Sequence, residues 1–272
     1  MTGPRTVRSF VSSSPEYHRA FQAFLAHTDQ KVKAREWLRH EVDGLANRSV
    51  MIDAGAGSGK LTSWLTPLFG TVIAIEPNPS LESELRTACP DAVVIAATIA
   101  SASPPAAGDF VLCSHVFYHI PRSEWESTLL HLMGWLAPGG ILAVALQNPR
   151  ADCMRMVNHF LGGRLDLSEL CPTANAEDGE FEARLETVPA HVRAPDLGTA
   201  CEIAEFFLND RPMPAPPRWE DLEHYVDEHF KQAEGGYQLS CHQDFLRVSR
   251  SVGSPLSAIR ADRPHGAPRS SP

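Results

Sequence analysis

"VMIDAGAGSGKLTSWL", residues 50–65, begins as an apolar strand and breaks into glycines. A strand that runs through a glycine turn into a helix is the arrangement by which open α/β sheets bring backbone close to a ligand. The tail Gly-Ser-Gly-Lys-Leu-Thr looks like part of a triphosphate loop. That loop requires Gly-x-x-x-x-Gly-Lys-Ser/Thr. Counting back from Gly59 puts Ala54 where the first glycine belongs, and Leu61 follows Lys60 where a hydroxyl belongs. The dinucleotide fingerprint Gly-x-Gly-x-x-Gly fits Gly55 and Gly57 and then fails at Lys60. Neither phosphate motif is met.

The charges around the loop point elsewhere. Asp53 closes the strand just before it, where a carboxylate repels phosphate and attracts a cation. Glu76 ends the next strand, "TVIAIEP", where a carboxylate can accept hydrogen bonds from both ribose hydroxyls. A glycine loop between two acids suits a nucleoside that carries positive charge and no phosphate. S-adenosylmethionine is such a molecule.

Outward from the loop, apolar strands alternate with helices. "SVMIDA", "TVIAIEP", "AVVIAATI", "DFVLCSHV" and "ILAVALQ" read as strands, with "KLTSWLTPLF", "SLESELRTAC" and "RSEWESTLLHLMGWL" as helices between them. Strands apolar almost throughout imply a parallel sheet covered on both faces. Before this unit, residues 14–43 read as helix, with Ser13 or Ser14 as cap, Pro15 in the first turn and Gly44 as stop. A second helical segment is allowed past Val32. After Gln147 the spacing predicts a helix in "ADCMRMVNHFLGG", an alternating strand in "FEARLETVPAHVRA", helices in "DLGTACEIAEFFLND" and "RWEDLEHYVDEHF", and a closing strand in "GGYQLSCHQDFLRVS". Residues 1–13 are expected to be loose, and residues 251–272, rich in Ser, Pro, Gly and Arg, to be disordered.

Four blocks, "IDAGAGSGK", "AIEPNP", "DFVLCSHVFYHIP" and "LAPGGILAV", in this order and spacing, resemble the class I S-adenosylmethionine-dependent methyltransferases. The resemblance implies a Rossmann-like seven-stranded α/β sheet, mostly parallel with the last strand antiparallel, and helices on both faces. It implies one domain over residues 1–250, with a helical lid at 14–43, a cofactor-binding core at 50–147 and a substrate-side insertion at 150–235. Carried over residue by residue, it assigns Asp53, Gly55, Ala56, Gly57 and Gly59 to the turn beside the methionine part. Glu76 falls to the ribose and Pro77 to the adenine side. Thr98 and Ile99 come to the adenine edge, where this chain lacks the family's usual carboxylate, and Ser114 and His115 lie near the sulfonium.

On the acceptor side, "EYHRAFQAFLAHTDQ", "SHVFYHI" and "GGYQLSCHQDFLRV" resemble the histamine N-methyltransferase group. That likeness puts Tyr17, Phe21 and Phe24 on the substrate, with Gln30, His115 and a residue near His242 facing it. The group has an acid at the place aligned with Gln30. Asp29 is adjacent, and a one-residue slip restores the charge. Each assignment has a plainer counterpart. The Tyr17, Phe21, Phe24 stripe also fits ordinary core, His119 a structural turn before Pro121, and His242 a satisfied strand residue. Either His115 or His119 could serve as base, because histidine titrates near working pH. A neutral amine needs no strong base, and the histidines permit O- or C-methylation as readily; the resemblance implies a small-molecule acceptor, with methylation on nitrogen expected. O- or C-methylation of a natural-product intermediate, or a cofactor-binding module without catalysis, are the alternatives.

Composition bounds the partners. The chain has 272 residues and a net charge of −9, so no basic footprint for nucleic acid is present. No apolar run reaches the roughly 20 residues that span a bilayer. The six cysteines are scattered and the histidines lack ligand spacing, so a cytoplasmic chain with free thiols and no metal is expected. Oligomeric state is left open.

Overall fold

The computed structural model describes residues 5–10, 14–175, 179–209, 211 and 213–253. Its centre is a seven-stranded sheet. The strands are β1 (Val50–Ala54), β2 (Thr71–Ile75), β3 (Val93–Ile95), β4 (Gly108–Ser114), β5 (Leu136–Gln147), β6 (Phe181–Val188) and β9 (Gln243–Arg250). They lie in the order β3-β2-β1-β4-β5-β9-β6. Only β9 runs against the others, paired antiparallel to both β5 and β6. The two remaining strands, β7 (His191–Ala194) and β8 (Tyr237–Ser240), form a separate antiparallel ribbon.

Three large apolar clusters divide the molecule, and a small fourth one of Ala74, Leu85 and Cys89 seats α4 (Pro79–Ala88) on β2. On one face of the sheet, Met51, Phe110, Leu112, Ala143 and Phe245 pack beneath α2 (Gln30–Asp43) and α3 (Lys60–Leu65). The opposite face packs Ile52, Ile73, Val111, Cys113 and Val144 against α5 (Trp125–Met133) and α7 (Cys171–Asn175). A third cluster has no sheet strand in it. It joins α1 (Pro15–His27), α6 (Asp152–Leu161), α8 (Leu197–Leu208), α9 (Trp219–Phe230) and the β7–β8 ribbon into a helical cap. The chain leaves β5 for α6 and returns from β8 to β9. The cap is therefore tied to the carboxyl ends of the parallel strands, the edge at which open α/β sheets bind ligands.

The expected lid over residues 14–43 divides in two. Ser14 caps α1, its hydroxyl accepting from Tyr17 N. The helix stops at Thr28 because β7 captures the chain there. Asp29 N donates to His191 O, and His191 N donates to the Asp29 carboxylate at 2.7 Å. Beyond the break, α2 belongs to the sheet. Trp37 stacks on Phe245 at 4.1 Å. Glu41, 4% exposed, takes both Arg184 and Arg247. A buried carboxylate between two guanidinium groups satisfies its lone pairs as burial requires.

Three other expectations are corrected. Residues 5–10 are not loose. Val7 is buried, Thr6 bridges to Arg218, and Arg8 pairs with the fully buried Glu205. The stretch 181–194 is two strands: β6 belongs to the main sheet, so the region 150–235 is not wholly an insertion, and β7 belongs to the cap. The closing strand is likewise β8 and β9, split at Cys241–His242. The expectation of a disordered tail falls mainly on residues 254–272, outside the described residues.

Candidate active site at the carboxyl edge of the sheet

The glycine loop is built by three left-handed residues, with φ of 83° at Gly55, 56° at Gly57 and 80° at Gly59. Side-chain-bearing residues rarely take this conformation. A Cβ on Gly55 would stand 2.4 Å from Val116, and one on Gly59 would stand 2.8 Å from Leu85. Gly57 differs: nothing lies within 4 Å of its missing Cβ, so the loop's crest faces open space. Gly55 N and Ala56 N both donate to Ile75 O, which folds the loop over the end of β2.

Glu76, buried to 6% exposure, closes the other side. One carboxylate oxygen accepts from Gly57 N at 2.8 Å and the other from Asn78 N at 2.8 Å. Each oxygen keeps a lone pair for a further donor. Asp53 lies under the loop, 3% exposed, and accepts from the Thr62 hydroxyl at 2.6 Å. Burial, reinforced by the charge of Glu76 and opposed by the Thr62 bond, pushes the Asp53 carboxyl up to about 6. A cation arriving beside the loop would favour its ionised form. Pro77 is exposed beside Glu76. Thr98 is exposed and shares a hydrogen bond with Ser101, whereas Ile99 turns into the core. Of these two, only Thr98 is left at the surface for a ligand.

Ser114 ends β4, half-buried, and His115 follows with φ of 60°, the only left-handed non-glycine among the described residues. Such outliers persist where surrounding structure holds them. Here His115 N donates to Ala145 O at 2.9 Å, and the next residue, Val116, is the one pressed against Gly55. His115 is therefore pinned beside the glycine loop. Its Nε2 lies 2.6 Å from Gln243 Nε2, and its ring stacks on Tyr118 at 5.9 Å. Burial, with a smaller contribution from the charge of Lys31, holds the ring down to about 3, so His115 is neutral at neutral pH.

A polar network continues from there. The Tyr118 hydroxyl accepts from Gln147 N at 2.7 Å. Gln30, 1% exposed, donates to Gln147 Oε1 at 2.9 Å and to Cys241 O at 2.7 Å. Gln30 thus joins the cap to the sheet edge. The other expected residues separate. His119 is exposed on a one-turn 3-10 helix, outside this network. His242 Nδ1 lies 3.0 Å from both Ala190 N and Ala190 O, accepting from the N–H in one tautomer and donating to the carbonyl in the other, and its ring meets His191 edge-on. It ties β7 to β9.

The aromatic stripe of α1 packs into the core of the cap. Phe24 is 1% exposed between Phe206 and Phe207, each at 5.3 Å between ring centroids. Tyr17 and Phe21 are half-buried, and Phe21 receives the Lys60 ammonium over its face at 5.5 Å. Since Lys60 opens α3 directly after Gly59, this contact places α1 above the glycine loop.

Sequence reasoning missed Thr62, Tyr118, Gln147 and Gln243. Gln147 carried a signal, since it stands at the edge-facing end of the apolar run ILAVAL, whereas Gln243 opens a strand of mixed polarity and carried none. Among the described residues no helix is long and apolar enough to cross a membrane, and no group of three or more His, Cys, Asp or Glu is placed to hold a metal ion.

Residues 52–144 match a family model described as a methyltransferase domain. A trans-aconitate 2-methyltransferase of Methylobacterium radiotolerans is 30% identical over 103 residues, which is 37% of this chain and 39% of that protein. The match thus spans about two fifths of the relative's length. Among solved structures, the YcgJ protein of Bacillus subtilis superposes with a TM-score of 0.59 at 12% identity, covering 80% of this chain and 100% of that one. A Deinococcus radiodurans protein of unknown function gives 0.51 at 17% identity, covering 80% and 85%.

Proposed function

We propose that this chain, whose residues 52–144 form a class I S-adenosylmethionine-dependent methyltransferase domain, methylates a small molecule held between that domain and the helical cap. One observation carries the reading. The glycine loop, the strained His115 and the buried amides of Gln147 and Gln243 converge on one sheet edge, and the aromatic wall of α1 covers it.

The residues present fit the cofactor. Gly57 opens toward space, Glu76 keeps lone pairs for ribose hydroxyls, and Asp53 and Glu76 supply the negative field a sulfonium nucleoside needs. When bound, S-adenosylmethionine supplies an activated methyl group on a good leaving group. The protein's task is then alignment, with the acceptor's lone pair placed in line with the methyl carbon. The helical cap and its Tyr17, Phe21 and Phe206 rings exclude water and orient the acceptor's apolar part.

Charge narrows the acceptor. The place aligned with an acid in the histamine N-methyltransferase group holds Gln30, buried and already bonded. The slip to Asp29 brings in a carboxylate that is tied to the β7 ribbon, one of its oxygens accepting from His191 N. Asp244 is likewise engaged, by Asn148 and Thr187. Both carboxylates already hold protein donors, which disfavours a cationic amine, and N-methylation is retained for amines that arrive neutral. The charge of Lys31 beside His115, and the carboxylate acceptor named in the Methylobacterium relative, favour an acceptor with an anionic or carbonyl oxygen. A carboxylate oxygen attacks without a base, which agrees with a ring of such low basicity at His115.

The test is transfer of labelled methyl from S-adenosylmethionine to a panel of small carboxylates, phenols, neutral amines and permanently cationic amines. Turnover of oxygen acceptors above cationic amines is expected. Selective turnover of cationic amines would overturn the charge argument, and failure to bind S-adenosylhomocysteine would overturn the whole reading.

A further inference from the structure

His115 is the one non-glycine residue held in a left-handed conformation among the described residues, and its ring has two nitrogens with different fates. Nε2 lies 2.6 Å from the Gln243 amide nitrogen. With the amide turned so that its nitrogen faces the ring, the N–H donates and the ring nitrogen is the acceptor. A neutral imidazole that accepts at Nε2 carries its proton on Nδ1. Gln243 is 2% exposed at the first position of β9, paired across to Gln147 of β5, so its backbone is fixed by ladders on both sides. The amide oxygen of Gln243 is buried without a hydrogen-bond donor, so this side chain is not placed by its own satisfaction. Its one hydrogen bond is to His115.

We infer that Gln243 is a positioning residue that fixes the tautomer of His115, so that the ring presents Nδ1–H, a hydrogen-bond donor, to an oxygen of the acceptor. This rests on the methyl-transfer reading and deepens it. The ring then grips the acceptor by donation and takes no proton from it, which selects a carbonyl, carboxylate or ether oxygen over an N–H group at that point. The stack on Tyr118, whose hydroxyl accepts from Gln147 N, keeps the ring plane aligned. A second tautomer is available only if the amide turns over and Oε1 accepts Nε2–H, which would convert Nδ1 into a base.

The experiment is nitrogen-15 NMR of the histidine rings in the full chain, with His115 assigned by its loss in His115→Gln. Wild type should show a proton bonded to Nδ1 and a hydrogen-bonded, unprotonated Nε2, with and without S-adenosylhomocysteine. Gln243→Glu supplies only acceptors, so the proton should move to Nε2. Gln243→Leu should give a mixture of tautomers. Binding of S-adenosylhomocysteine by both Gln243 variants, read by calorimetric titration, shows that they are folded. A wild-type proton on Nε2 overturns the assignment, even if no variant folds. So does a Gln243→Leu spectrum identical to wild type. Absence of S-adenosylhomocysteine binding in wild type would instead sink the underlying methyl-transfer reading, whatever the tautomer.

Discussion

The two parts of the proposed site, one assigned to the cofactor and one to the acceptor, are made in different ways. Around β1 and β2 the contacts come from backbone: three left-handed glycines, two N–H groups on Ile75 O, and two more on Glu76. Around β4, β5 and β9 they come from side chains, namely Gln30, His115, Tyr118, Gln147 and Gln243, drawn from segments up to 213 positions apart in the numbering, counting from Gln30 to Gln243. The first half rests mainly on backbone groups, with Asp53 and Glu76 close by in sequence, so it depends on local conformation and can be written as short motifs. The second depends on which side chains meet, and only the finished fold brings them together. A fold of this kind can keep one cofactor while the acceptor changes by substitution at a few distant positions.

The largest test of this division is Phe24→Ala. Removing a fully buried ring from the cap should cost about 3–5 kcal/mol in stability, read by denaturant unfolding. If the halves are separable, S-adenosylhomocysteine binding should outlast the packing of the cap. A single transition that loses both together would break the comparison. Gly55→Ala should come next. A left-handed alanine costs roughly 1–2 kcal/mol, and contact with Val116 at 2.4 Å adds to that. Its damage should reach His115 as well, since Val116 is the next residue, and the His115 ring resonances would register it.

Glu76→Ala should weaken S-adenosylmethionine binding by about 1.5–3 kcal/mol in calorimetry while the sheet survives. Unchanged affinity in a folded variant would remove Glu76 from the site. A pH effect sharpens the backbone half further. The Asp53 carboxyl is raised from 3.8 to about 6 in the folded protein, so the folded state holds its proton more tightly than the unfolded chain. Stability should therefore fall as pH rises between about 4 and 6, and Asp53→Asn should remove that component. The smallest effect is expected at the link between the halves. Lys60→Met deletes the cation over Phe21, about 0.5–1 kcal/mol at a partly exposed site. It should loosen α1 against the loop, read as faster hydrogen exchange in α1 only.

The same division explains what could be read in advance. The order of strands and helices through Gln147, and the glycine loop with its two acids, follow from local patterns: apolar runs, a turn that needs left-handed residues, and charge beside it. The break at Thr28–Asp29 is different. "HTDQKV" is compatible with a continuous helix, and the interruption is imposed by His191 from a ribbon far along the chain. The split of residues 181–194 between two sheets is set by which partner each half finds. Gln30 was placed at the acceptor by resemblance, yet its amide nitrogen donates to protein, to Gln147 Oε1 and Cys241 O. His242 had a sequence neighbour, Gln243, whose alternation puts it on the opposite side of the strand and in contact with His115. Period-two geometry makes a one-residue misplacement select the wrong side chain.

The position of β9 has a consequence for how the protein is made. β9 sits between β5 and β6, yet it is the latest in the chain of all the described strands. On a translating ribosome, β5 and β6 emerge first and cannot pair with each other in the native arrangement. Two hydrogen-bonding edges stay open until residues 243–250 appear, and open edges invite wrong partners. The arriving strand pairs Gln147 with Gln243 and Val188 with Gln243 in one step, and the same residue meets His115. A nascent chain can therefore carry a formed glycine loop well before its reactive edge exists, with completion of the sheet and assembly of that edge coming as a single late event.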